Sequence, residues 1–138
     1  MRGERSVPIT DDELVDRARK ARKAAVAPYT RFEVGAALLT HDGQVFTGCN
    51  IENVTYNLSL CAERLAIFKA ISEGARGLVK IAVVTDTSPL APPCGSCRQL
   101  IWEFAKDDVQ VILSNLSSEV VRFTIKALFP DGFDARFL

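Results

Sequence analysis

The chain lacks most of the features that mark membrane, secreted or nucleic-acid-binding proteins. No apolar run approaches the roughly 20 residues that a membrane-spanning helix needs, and the charged start Met1–Arg5 is not followed by an apolar signal region. Lysine plus arginine and aspartate plus glutamate number 17 each, and no basic cluster indicates a surface for DNA or RNA. We therefore expect a cytoplasmic protein that binds neither membranes nor nucleic acid.

Histidine and phosphate-binding glycines are also scarce. The single histidine, His41, lies in the turn sequence His41-Asp42-Gly43, so we expect a solvated side chain. No glycine-rich loop that would cradle a phosphate is present, which disfavours nucleotide substrates. At 138 residues, with 48% hydrophobic residues, the chain is expected to form one domain over 1–138 with its own core.

Cysteines are few, but three of the four stand in the spacing of a metal site. Cys61 precedes the stretch Pro93-Cys94-Gly95-Ser96-Cys97. Four thiols could form two disulfides in a secreted chain, whereas in a reducing compartment this spacing favours metal binding or catalysis. The Cys94-x-x-Cys97 pair alone would fit a redox dithiol or half of a structural zinc site equally well. The third cysteine shifts the interpretation to zinc, and Cys49 is left as a small buried residue.

Three thiolate ligands with an acid beside them indicate a catalytic zinc. A structural zinc has four protein ligands, whereas three leave one position for water. Zinc lowers the pKa of that water to about 7, and a nearby base can relay its proton. Glu63 is the candidate base, although alone it would be an ordinary solvated helix carboxylate. Arg64 is the candidate cation that offsets the thiolate charge by hydrogen bonds to sulfur.

Periodicity and turn signals predict three helices and five strands. We expect helices over 10–26, 61–73 and 95–105, and strands over 32–40, 44–50, 79–85, 109–114 and 119–125. The first helix begins with a capping box at Thr10 and Glu13, and we expect it to pack on the sheet. The Asp42-Gly43 turn joins the first two strands as an antiparallel pair.

Connection lengths then predict the fold. Helices between successive strands indicate two strand–helix–strand crossovers, and so a parallel part of the sheet. Residues 115–118 are too few for a parallel connection, so the last strand must run antiparallel. We predict an α/β fold, a three-layer α/β/α sandwich around a mixed five-stranded sheet whose last strand is antiparallel. Cys61 and Cys94 each open a helix at one sheet edge, where they can meet and where the helix dipole favours thiolates.

Four stretches of the chain together match a known pattern: Ala27–Ala37, Gly48–Asn53, Cys61–Arg64 and Pro93–Gln99. They resemble the small zinc-dependent cytidine deaminases, and the likeness covers nearly the whole chain. A three-cysteine zinc with a non-ligand glutamate and a Pro-Cys-x-x-Cys element is typical of zinc-dependent nucleobase deaminases. The resemblance implies hydrolysis of cytidine or deoxycytidine to uridine or deoxyuridine and ammonia, in pyrimidine salvage and in a homotetramer.

The resemblance also implies roles for individual residues. The zinc ligands match Cys61, Cys94 and Cys97, and the proton shuttle matches Glu63. The backbone N–H of Ala62 matches the donor to the pyrimidine 2-carbonyl, and the ribose binders match Asn50 and Glu52. An aromatic that packs near the nucleoside matches Phe32, while Tyr56 and Phe133 resemble side chains offered to a neighbouring subunit's site. By residue type alone, these three aromatics would be core or interface residues.

Three other functions remain open at this point. The first is an aminohydrolase acting on a modified nucleoside, which a substrate panel would distinguish. The second is a zinc-stabilised binding module, which would hold metal without turnover. The third, a polynucleotide editor, is disfavoured because such relatives resemble a branch with a parallel last strand and usually a histidine in place of the first zinc cysteine.

Overall fold

The computed structural model describes residues 9–138, apart from the side chain of Lys106. The strands are β1 (Gly35–Thr40), β2 (Val45–Cys49), β3 (Leu78–Val84), β4 (Ala105–Ser114) and β5 (Val120–Thr124). The helices are α1 (Asp11–Arg22), α2 (Ala62–Ser72), α3 (Gly95–Phe104) and α4 (Ile125–Leu128), with short 3-10 helices at Tyr56–Leu58 and Ala135–Phe137. Within this part of the chain, no helix has the length and apolar character needed to span a lipid bilayer.

The five strands form a mixed sheet in the order β2-β1-β3-β4-β5. The first strand runs antiparallel to both of its neighbours, β2 and β3. The β3–β4 pair is parallel, as expected for strands joined by α3, and β5 returns antiparallel to β4. The predicted antiparallel last strand is therefore confirmed, and the parallel pairing is confined to β3 and β4.

The first predicted crossover differs from the expectation in one respect. It was expected to contribute to a parallel part of the sheet, yet the strands it joins, β2 and β3, are not neighbours. They run in the same direction, but β1 lies between them and pairs with both. The helix α2 therefore crosses over β1 before the chain enters β3, and its first turn packs closely against Gly48 of β2.

Two hydrophobic clusters on opposite faces of the sheet make up the core. Side chains alternate between the faces along each strand, as a period of two requires. On one face Leu38, Ile81 and Val111 pack with Ala66 of α2 and with residues of α3 and α4. On the other face, α1 covers a smaller cluster that includes Ala37, Ala82 and Ile112. The predicted three-layer α/β/α sandwich is confirmed.

The first helix begins where expected but ends early. Thr10 and Glu13 form both hydrogen bonds of the capping box. The helix was expected to reach residue 26, yet it ends at Arg22 and is followed by shorter-range bonds such as Ala25 N–H to the Arg22 carbonyl. Val26 instead forms a bridge with Ile51, because its N–H donates to Asn50 and its carbonyl accepts from Glu52. This bridge ties the segment after α1 to the end of β2.

Candidate active site

Three cysteine sulfurs lie together at the edge of the sheet where β2 and β3 end. The Sγ atoms of Cys61, Cys94 and Cys97 all lie within 4.8 Å of one another. The Cys61 and Cys94 sulfurs are 3.9 Å apart. All four cysteines of the chain are free thiols, and Cys49 is buried outside this cluster. The sequence spacing therefore brings the three predicted ligands together.

Two helix N-termini position these sulfurs. Cys61 is the N-cap residue of α2 and Cys94 that of α3, both with extended backbone angles. Neither side chain caps its own helix, so both sulfurs stay available to a ligand. Cys97 lies in the first turn of α3 and is buried. A helix N-terminus favours negative charge, so the fold lowers the cost of forming thiolates here.

The thiol cluster fits a zinc ion. Sulfurs bound about 2.3 Å from a tetrahedral zinc are about 3.8 Å apart, close to the measured Cys61–Cys94 separation. Among the described residues, the cluster has three donors and no fourth protein ligand, which is the arrangement of a catalytic rather than a structural zinc. Three soft donors with tetrahedral spacing also suit zinc better than a hard cation such as magnesium.

Hydrogen bonding between the thiols makes one of them acidic. A bond from Cys97, reinforced by the Arg64 guanidinium, lowers the pKa of the Cys61 thiol to about 5. The same thiol–thiol contact raises the pKa of Cys97 above its usual range. Arg64 Nη2 lies 3.8 Å from the Cys61 sulfur. Cys61 therefore offers an incoming cation an anionic ligand at neutral pH.

Glu63 lies in the first turn of α2, two positions after Cys61. Its side chain is only 4% exposed although it carries a carboxyl group. Burial, with a smaller contribution from the neighbouring Cys61 thiolate, raises the pKa of Glu63 to about 7. A carboxyl that titrates near pH 7 can both accept and return a proton under physiological conditions. Glu63 is therefore suited to the proton relay expected of the acid beside the metal.

A cavity of about 350 Å³ opens over the thiol cluster. This volume lies at the lower end of the range typical of small-molecule sites. Of the residues predicted from the sequence, nine line it: Phe32, Asn50, Glu52, Tyr56, Cys61, Ala62, Glu63, Arg64 and Cys94. Cys97 lies beneath the cavity wall as the buried member of the thiol cluster. Phe133 does not line it, since its ring stacks on Phe137 in the C-terminal segment and is half exposed.

The two predicted ribose binders both hold a neighbouring piece of backbone. The Asn50 side chain donates to the Phe32 carbonyl at 2.6 Å and accepts from the Val34 N–H at 2.8 Å. The Glu52 carboxylate accepts from the Tyr29 N–H at 2.9 Å and from the Thr30 N–H at 3.2 Å. The segment 29–34 that forms one cavity wall is thus fastened to the end of β2 by side chains.

Several cavity residues escaped the sequence analysis. They are Val34, Ser59, Leu60, Val83, Thr85, Ala91 and Pro92. Thr85 follows β3, is almost fully buried, and pairs its hydroxyl with that of Thr87 at 2.9 Å. Position at the carboxyl end of a central strand was the available signal for Val83 and Thr85, because ligands bind at that edge. Ala91 and Pro92 offered no chemical signal, since neither has a polar side chain.

Three sulfur donors would leave one zinc coordination position facing the cavity that Glu63 lines. Together with the fold, this arrangement defines the class of zinc-binding hydrolytic deaminases. Residues 8–113 match the family model described as the cytidine and deoxycytidylate deaminase zinc-binding region. The chain belongs to the cytidine deaminase family.

Relatives and solved structures agree with this assignment. The chain is 51% identical to the cytidine deaminase of Halalkalibacterium halodurans over 88% of this chain and 92% of that protein. The crystal structure of cytidine deaminase from Burkholderia pseudomallei superposes with a TM-score of 0.87 at 45% identity, covering 91% of this chain and all of that one. The structure of the Mycobacterium tuberculosis cytidine deaminase gives a TM-score of 0.78 at 36% identity, covering 91% and 99% respectively.

Proposed function

We propose that this protein hydrolyses cytidine and deoxycytidine to uridine and deoxyuridine, with release of ammonia, as a zinc-dependent cytidine deaminase. The observation that carries the proposal is the buried Glu63 carboxyl beside the three-thiol cluster, inside a cavity large enough for a single nucleoside. Relatives that are named cytidine deaminase, and that this chain matches over most of their length, support the same substrate.

The metal would be held by Cys61, Cys94 and Cys97. A zinc ion bound there supplies the Lewis acidity that makes water a nucleophile at neutral pH. Arg64 stabilises the ligand set, because its guanidinium lies against the Cys61 sulfur and balances part of the thiolate charge. These three cysteines and the arginine come from the first turns of two different helices, so the ligand geometry is fixed by the sheet.

Glu63 is the proposed acid–base residue. As the carboxylate it takes a proton from the attacking water while the water oxygen bonds to C4 of the pyrimidine. The protonated carboxyl then delivers this proton to N3, and the amino group leaves C4 as ammonia after the remaining proton of the former water has been transferred to it. A pKa of about 7 suits both directions of transfer, since neither form is scarce near neutral pH.

Binding of the nucleoside would use the cavity walls. The backbone N–H of Ala62, in the first turn of α2, has no intrahelical partner and is proposed to donate to the 2-carbonyl. Asn50 and Glu52 would bind the ribose hydroxyls, and Phe32 would pack near the nucleoside. A bound ligand covers these acceptors, so a ligand without the matching hydroxyl would leave them unpaired, and nucleosides should be better substrates than free cytosine.

The assembly and the cellular setting are also part of the proposal. Tyr56 is 78% exposed at the cavity rim and Phe133 lies outside its own chain's cavity, which supports a homotetramer in which both side chains approach a neighbouring site. Analytical ultracentrifugation would test that assembly.

Four unpaired thiols suit a reducing compartment, so we propose a cytoplasmic enzyme of pyrimidine salvage. We further propose that residues 1–138 act as a single domain.

The direct test is a substrate panel with zinc-quantified protein. Purified enzyme is incubated with cytidine, deoxycytidine, cytosine and an N4-substituted cytidine, while ammonia and the absorbance change of the base are followed. We expect turnover of both nucleosides and little of cytosine. Bound zinc without ammonia release from any of the four compounds would refute the proposal and favour a binding module.

A further inference from the structure

The loop that precedes β1 is attached to Glu52 by more than backbone contacts. Besides accepting from the Tyr29 and Thr30 N–H groups, the Glu52 carboxylate accepts a hydrogen bond from the Thr30 hydroxyl through its other oxygen, Oε2. The same hydroxyl oxygen accepts from the Phe32 N–H at 3.1 Å. One threonine hydroxyl therefore links two residues that line the cavity, although Thr30 itself does not line it.

Counting acceptor positions shows what this attachment does to Glu52. An ionised carboxylate has about four lone-pair positions. The two backbone N–H groups use the positions on Oε1, and the Thr30 hydroxyl uses one on Oε2. About one acceptor position is left, and it belongs to the oxygen whose orientation the Thr30 hydroxyl determines. Without that hydroxyl, Oε2 would have no protein partner among these contacts. Only a bound ligand would then determine the orientation of this oxygen.

We propose that Thr30 is a positioning residue for sugar recognition, which holds Glu52 so that its free acceptor position faces a hydroxyl of the nucleoside. This inference rests on the proposed function, because it deepens the role given there to Glu52. The hydrogen bonds from Thr30 also keep the pKa of Glu52 below its ordinary value, so the group remains an ionised acceptor throughout the physiological range.

The local backbone explains why the loop can present the hydroxyl in this way. Arg31 has a left-handed conformation with φ of 63°. This turn brings Phe32 back toward Thr30, so that the Phe32 N–H reaches the Thr30 oxygen. The Asn50 side chain then fixes the Phe32 carbonyl from the other side. Glu52, Phe32 and Asn50 are consequently held as one wall, and the Thr30 hydroxyl can be removed from it without altering a cavity-lining side chain.

The test compares substrates with and without sugar hydroxyls in Thr30 variants. Thr30→Val should lower kcat/KM for cytidine about tenfold, mainly through KM, which is the size expected for one oriented hydrogen bond to a charged group. For 2′,3′-dideoxycytidine, which lacks both ring hydroxyls, the loss should stay below about twofold. Thr30→Ser keeps the hydroxyl and should behave like the parent, and Thr47→Val in the edge strand β2 controls for the change of residue type. If valine prevents folding, Thr30→Ala makes the same comparison.

A double-mutant cycle asks whether Thr30 acts through Glu52. In a Glu52→Ala background, Thr30→Val should cause less than about a twofold further loss for cytidine, since the partner is already gone. Equal losses for both substrates, an impaired Thr30→Ser enzyme, or additive losses in the cycle would each overturn the inference. These results leave the proposed function intact as long as the parent enzyme deaminates cytidine. A parent enzyme without activity on either nucleoside overturns both.

Discussion

Adding one methyl group at Gly48 should disturb the active site through the backbone of α2. A Cβ at this position would lie 2.5 Å from the Ala62 carbonyl oxygen and 2.8 Å from the Ala66 nitrogen. Ordinary contact begins at 3.4 Å, so strand and helix must separate by about 0.9 Å. Glu63 follows Ala62 directly and would move with it. A displacement of this size in a catalytic group can cost about a hundredfold in rate.

We therefore expect Gly48→Ala to lower kcat for cytidine by about 10- to 100-fold and to lower the free energy of unfolding by about 1–3 kcal/mol. The matched control is Gly35→Ala, whose Cβ would lie 2.0 Å from the Ala18 carbonyl oxygen of α1, on the other face of the sheet. Because its overlap is larger, it should lose at least as much stability, yet keep kcat per bound zinc within about threefold of the parent.

A second control separates steric conflict from the change of residue type. An added Cβ at Gly95 would meet no atom within 4 Å, so Gly95→Ala should leave the free energy of unfolding unchanged or slightly raised. Urea unfolding measures the stability of each variant, and initial rates with zinc-quantified protein measure kcat. A parental kcat in Gly48→Ala, or the same loss of kcat in Gly35→Ala, would refute the reasoning.

Three further predictions concern ionisable groups. Because burial raises the pKa of Glu63 from an ordinary 4.5 to about 7, its stabilising protonated form is lost as pH rises through 7. In the presence of a chelator, the free energy of unfolding of Glu63→Gln, measured with urea, should therefore exceed that of the parent by up to about 3 kcal/mol at pH 8 and equal it at pH 4. A difference that does not depend on pH would contradict this. Cys94→Ser should lose zinc and stability together, because metal binding and folding are coupled, and a zinc-replete, stable variant would exclude Cys94 as a ligand. The ion pair with Lys80, together with that with Arg122, lowers the pKa of Asp11. Asp11→Asn should therefore lower the free energy of unfolding by about 1 kcal/mol at pH 7, and this loss should vanish as pH falls below the ordinary carboxyl range. Equal losses at both pH values in urea unfolding would argue against the ion pairs.

The parts of the fold that the sequence predicted depend on local rules. The length of the connection at 115–118 required β5 to turn back, and the capping box marked the start of α1. The helix starts at Cys61 and Cys94 followed from apolar periodicity, and they were enough to bring the thiols together. Ligand spacing restricts the chemistry strongly, because few sites need three thiols and an acid at these intervals.

The remaining features depend on contacts between distant segments. Nothing in the hairpin β1–β2 determines which of its strands will lie beside β3, so the insertion of β1 between β2 and β3 was not predicted. The early end of α1 follows from the pairing of Val26 with Ile51, two residues without a local turn signal. The attachment of Thr30 to Glu52 likewise joins two segments that are far apart in sequence and adjacent only in the folded chain.

The double hydrogen bond made by the Asn50 amide limits how this enzyme can be redesigned. Its carbonyl oxygen serves Val34 and its NH₂ group serves Phe32, so the side chain must be both acceptor and donor at once. Aspartate would set two oxygens against each other at Phe32, and leucine would leave both backbone groups unsatisfied. A mutant library aimed at new sugars should therefore keep position 50 and vary Ser59 instead, which borders the same cavity without fastening the 29–34 wall.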